Sequence, residues 1–148
     1  CHRSVSTFTM MSGWSPEACA DLKAAVQLVL AQNPVFTGKL VADQEGLQVV
    51  PHMHADLFRV MEGPGDYVAP STALKKADSM REDLARYFTE LTNGYEQLEK
   101  GLPLFELMVL TLPLGRACLR LSISHVIADG ATYYKTLTRI SDAFNGRP

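Results

Sequence analysis

His125, Asp129 and Gly130 form an HxxxDG pattern within Ser122-Ile-Ser-His125-Val-Ile-Ala-Asp129-Gly130-Ala-Thr-Tyr-Tyr. An imidazole titrates near neutrality, so its neutral form can take a proton from a hydroxyl or amine, which is general-base chemistry. Asp129 stands four positions on and can either orient the imidazole or turn away and pair with an arginine to fix the loop. Spacing leaves both open. If the base activates an acceptor for attack on a thioester, the nucleophile belongs to the substrate and no serine or cysteine of the chain is needed. The competing reading is architectural: His125 is a strand-end histidine bonded to backbone, and Asp129 caps the following helix.

A strand, a corner and a helix must position these residues. Over 116–124, Ala117, Leu119, Leu121 and Ile123 alternate with Cys118, Arg120, Ser122 and Ser124, the period of a strand with two unlike faces. It pairs as a hairpin with a strand over 104–112 through Pro113-Leu114-Gly115. Beyond the motif, 131–144 reads as a helix, with Tyr134, Leu137, Ile140, Ser141 and Phe144 near helical spacing. Gly130 is expected to let the backbone turn sharply into it.

Upstream, Ser15-Pro16-Glu17 starts a helix whose apolar residues Leu22, Ala25, Val26, Val29 and Leu30 recur to about Gln32, where Asn33-Pro34 ends it. Strands over 37–42 and 47–50 flank Asp43-Gln44-Glu45-Gly46, and 56–61 offers another. Residues 62–78, with Gly63-Pro64-Gly65 and Pro70, read as a long irregular and mobile connection. Residues 81–91 resume helical character before Asn93-Gly94 breaks it. Hairpins without repeated βαβ units predict an α+β, two-layer sandwich in which helices pack on one face of a largely antiparallel mixed sheet.

The chain has 148 residues, which suits a single domain over 1–148. With 14 Lys plus Arg against 16 Asp plus Glu, and no long block of either sign, a nucleic-acid groove driven by counterion release is a poor fit. No apolar run is long enough to span a bilayer. Neither GxGxxG nor GxxxxGK[ST] occurs. Cys1, Cys19 and Cys118 fit neither a disulfide framework nor a zinc site, so a reducing, cytoplasmic setting is expected. Because the chain opens on Cys1 rather than Met, a true amino terminus with any targeting segment is expected to precede it.

The segment around His125 resembles the active-site stretch of the HxxxD acyltransferases, which include chloramphenicol acetyltransferase, the BAHD enzymes, peptide-synthetase condensation domains and wax ester synthases. Gln32-Asn33-Pro34-Val35-Phe36-Thr37-Gly38-Lys39-Leu40 resembles their P-x-x-x-G-[RK]-[LV] entry strand. The resemblance covers nearly the whole chain and implies a chloramphenicol acetyltransferase-like fold, with His125 as general base and Asp129 salt-bridged to an arginine, for which Arg3 and Arg120 are possible partners. It also implies that Gly130 keeps a donor passage open. The implied donor is acyl-CoA or an acyl-carrier thioester, the acceptor a small hydroxyl or amine compound, and no cofactor is permanently bound. Ser124 stands where condensation domains and wax ester synthases usually carry a second histidine, which counts against those branches. The chain resembles the amino-terminal half of a two-half enzyme, so a carboxy-terminal half or a homo-oligomer is expected to complete the site.

Three functions follow: an acyltransferase; a non-catalytic binding module that retains HxxxDG as loop architecture; and, with least support, a metal-dependent hydrolase using His52 and His54, which would project to one side of an extended segment. No third ligand has a defined place, so no metal is assigned. Tyr133 and Tyr134 can line an acceptor pocket or pack in the core, and core packing is the better fit.

Overall fold

The computed structural model describes residues 4–54, 56–67, 84–88 and 92–146. Strands β1 (Ser4–Met11), β4 (Phe58–Glu62), β5 (Phe105–Leu112) and β6 (Arg116–Ser124) form one sheet in the order β1-β6-β5-β4. β2 (Lys39–Asp43) and β3 (Gly46–Val50) form a separate hairpin. The helices are α1 (Pro16–Gln32), α2 (Gly94–Lys100) and α3 (Gly130–Phe144). β5 and β6 pair antiparallel, β1 antiparallel to β6, and β4 parallel to β5. The fold is thus α+β with a mixed, mainly antiparallel sheet.

Strand alternation separates two faces. Phe105, Leu107, Val109, Ala117, Leu121 and Ile123 point to one side and pack with Leu22, Val26 and Val29 of α1 and Tyr133 and Ile140 of α3. On the reverse, Met108, Leu110, Leu112 and Cys118 pack with Leu84 and Phe88. The thiol of Cys118, buried there in apolar surroundings, is pushed up to about 12 by desolvation. Toward the carboxyl end of β6 this second face turns polar: Arg120, Ser122 and Ser124 are all buried.

Several expected elements fall where the sequence places them. Ser15 caps α1, its hydroxyl accepting from the Ala18 N–H at 3.1 Å, with Pro16 at the first position. Pro34–Thr37 is a 3-10 turn rather than the start of a strand. Gly38 follows it in close contact with β3: a Cβ there would collide with the Val49 side chain and stand 2.7 Å from the Val50 carbonyl oxygen. The glycine of the entry motif is therefore a steric requirement.

Other elements differ from expectation. β1 carried no strand prediction. Asn93-Gly94 opens a helix instead of closing one: the Asn93 side chain accepts from the Glu96 N–H at 3.0 Å, and Glu96 accepts from the Asn93 N–H at 3.1 Å. This reciprocal capping box satisfies two otherwise orphaned donors. The helix expected over 81–91 lies mostly outside the described residues; within 84–88, Leu84 is helical and Ala85–Tyr87 forms a 3-10 turn. Most of the expected 62–78 connection lies outside the described residues, and Glu62 ends β4.

Candidate active site

The HxxxDG segment occupies the corner between β6 and α3. Ser124 ends the strand, and its carbonyl accepts from the Ile127 N–H at 3.2 Å, closing a turn that carries His125 at its exposed crest. His125 Nδ1 lies 2.9 Å from the Ala128 carbonyl oxygen. A carbonyl can only accept, so Nδ1 carries the proton and the lone pair of the neutral ring sits on Nε2.

Asp129 is the N-cap of α3, and its Oδ1 accepts from the Thr132 N–H at 2.8 Å. Those bonds to Thr132 hold its carboxyl below the usual carboxylate range, with minor help from the positive potentials of His125 and Lys135. The expected salt bridge to arginine is not found among the described residues: Arg120 Nη2 instead meets Glu106 Oε1 at 3.1 Å, while Arg3 lies outside them. Glu106 Oε2 also lies 3.8 Å from Arg59 Nη1. The reason is directional. Arg120 projects from the second face of β6 into a buried site, whereas Asp129 is exposed beyond the strand end. Burial depresses the Arg120 guanidinium and Glu106 opposes that shift.

Gly130 also departs from expectation. Its φ lies outside the left-handed region, so the turn into α3 does not depend on glycine, and a Cβ would meet nothing within 4 Å. Tyr133 is fully buried, and its hydroxyl donates to the Leu121 carbonyl at 2.8 Å and accepts from the Thr7 hydroxyl at 2.7 Å. Burial raises its phenol above the usual value. Tyr134 points outward, 59% exposed, so the two tyrosines divide between core and surface.

Sequence reasoning missed Gln97. This glutamine of α2 is 1% exposed and accepts at Oε1 from the Ser124 hydroxyl at 2.6 Å. Its Nε2 donates to Thr92 Oγ1 at 3.0 Å and to Ser4 Oγ at 3.3 Å, with the Pro103 carbonyl at 3.5 Å. Ser124 Oγ in turn accepts from the Val126 N–H at 3.3 Å. The capping box before Gln97 was readable, but nothing in an isolated glutamine signals burial.

A cleft of about 500 Å³ opens along the polar end of the second sheet face, lined by Arg59, Gln97, Glu106, Arg120 and Ser122 among others. His125 is not part of that lining. The Ser122 hydroxyl is buried there without a hydrogen-bond partner among the described residues.

His52 and His54 do lie together, ring centroids 4.5 Å apart and edge to face. His54 Nε2, however, is directed at the Gly38 carbonyl at 3.3 Å and is thereby a donor. No group of three His, Cys, Asp or Glu residues able to hold a metal occurs among the described residues. No described helix is long and apolar enough to cross a membrane.

No family model and no curated protein matches the chain. Solved structures do. A condensation domain mediating chain release from the enacyloxin polyketide synthase aligns over 93% of this chain and 25% of its own, at 16% identity and a TM-score of 0.63. The tallysomycin biosynthesis protein TlmII aligns over 97% and 32%, at 21% identity and 0.64. A variant of the starter condensation domain of rhizomide synthetase, in complex with C8-CoA, aligns over 95% and 29%, at 17% identity and 0.64. The chain spans a quarter to a third of these structures, and it has the fold of condensation domains, which is chloramphenicol acetyltransferase-like.

Proposed function

We propose that the chain is the histidine-bearing part of an acyltransferase. His125 Nε2 removes the proton from an acceptor hydroxyl or amine as the acceptor's oxygen or nitrogen attacks the thioester carbonyl carbon. The carbon–sulfur bond then breaks, and the departing thiolate takes the proton back from the imidazolium. The carrying observation is the exposed ring whose Nδ1 is committed to the Ala128 carbonyl, which directs Nε2 to the work of a base. The C8-CoA complex of a structurally similar starter condensation domain supports a thioester donor. Asp129 holds the helix end beside the ring, and Gly130 leaves space there for the donor. We further propose that the described fold forms one domain, with a similar carboxy-terminal half or a second copy completing the site.

The test is release of free thiol from octanoyl-CoA in the presence of hydroxyl and amine acceptors. His125→Ala is expected to lower transfer by about 100- to 10,000-fold while the circular dichroism spectrum stays unchanged. Equal turnover in wild type and variant would end the assignment. One observation favours the second reading, a non-catalytic module: both the ring and Asp129 are bonded into the loop itself. A monomer in sedimentation equilibrium that releases no thiol, yet holds an apolar acyl ligand, would select that reading.

A further inference from the structure

Gln97 and Ser124 form the one continuous side-chain link described between α2 and the corner that carries His125. The link grips that corner on both sides of the histidine: the Ser124 hydroxyl donates to Gln97 Oε1, and the same oxygen accepts from the Val126 N–H. Gln97 is itself held by Thr92 and Ser4, so its amide is spent on the strand end of β1, the entry to α2 and the corner at once. A buried amide with all these bonds made has little freedom, and the backbone at 124–126 inherits that rigidity. The imidazole is fixed separately, by the bond to Ala128. That bond closes only if the backbone of His125 stands at the right distance and angle from Ala128.

We infer that Gln97 is a positioning residue: acting through Ser124, it sets the backbone that keeps the His125 ring in the tautomer with its proton on Nδ1. This inference rests on the acyltransferase reading for its catalytic meaning, but its structural content stands apart and is measured separately. Imidazole nitrogen chemical shifts in the labelled full chain report the tautomer, and amide hydrogen exchange reports the corner.

Ser124→Ala removes the bond to Gln97 together with the bond from the Val126 N–H, and leaves Gln97 its other partners. It is expected to shift His125 from one tautomer towards a mixture and to speed exchange of the Val126 amide by about tenfold. Gln97→Leu, which also gives up the bonds to Thr92 and Ser4 but leaves Ser124 its bond from Val126, is expected to shift the tautomer in the same direction, and the double variant to add little more to that shift, because both remove the Gln97–Ser124 bond. Thr92→Val, which removes a different partner of Gln97, should leave the His125 shifts in place. Where transfer is measurable, Ser124→Ala should lower kcat by between about 10- and 100-fold with KM little changed. An unchanged His125 tautomer in Ser124→Ala would overturn the inference even if Gln97→Leu failed to fold, because exchange at Val126 quickens from the loss of its own acceptor alone. Altered shifts with unaltered transfer would leave positioning intact and count against His125 as the base.

Discussion

At His125, hydrogen-bond polarity defines the chemistry, since an acceptor on Nδ1 settles which nitrogen keeps its lone pair. Gly130 offers a sharper contrast between stability and use. With open space where a methyl group would stand and ordinary helical backbone, Gly130→Ala should raise stability by about 0.4–1 kcal/mol, measured by urea denaturation. If that space admits the donor, the same substitution lowers transfer from bulky thioesters. Asp129 adds a pH dependence. Its folded-state carboxyl is more acidic than the ordinary 3.8, so its contribution is complete above that value and is lost as pH falls through the lowered one. Asp129→Asn, which keeps a capping oxygen, should flatten that part of an acid-unfolding curve while α3 persists. His54 has the same sign at higher pH: burial holds it below its ordinary 6.5, so stability declines as pH drops from 6.5 through the lowered value, and His54→Gln should remove that slope in thermal melts at successive pH.

Among the elements, the hairpin between β5 and β6 contains a local cost. Leu114 sits at φ 62° with 89% of its surface exposed, beside Gly115 at φ 64°. A left-handed leucine gives up about 1 kcal/mol that asparagine or glycine would not, so Leu114→Asn should raise the melting temperature without touching the core. The elements that announced themselves did so through short-range signals: Ser15-Pro16 at the start of α1, and the alternation of 117–123 in β6. β1 did not, because Ser4, Val5, Ser6, Thr7 and Phe8 show no clean apolar side and every residue pairs with a strand far along the chain. α2 was obscured by reading Asn93-Gly94 as an ending, although Glu96 three positions after Asn93 is the start signal that prevails.

For the molecule as a whole, the motif was readable because it is a local run, whereas the partners of that run are not local. Gln97 reaches Ser124 from another helix, and Arg120 turned to Glu106, its neighbour across the hairpin, rather than to Asp129. Tyr133 ties the layers together, binding β1 through Thr7 and β6 through Leu121. Tyr133→Phe strands both groups and should cost about 1–3 kcal/mol in chemical denaturation. The register of the outer strand has a practical bearing on all these measurements. Ser4 stands opposite Ser124, so the beginning of β1 lies beside the corner that carries the histidine. A bulky label attached at Ser4 itself would stand at the strand end next to that corner and bear on whatever approaches it, so probes for binding measurements belong on positions away from this end of β1.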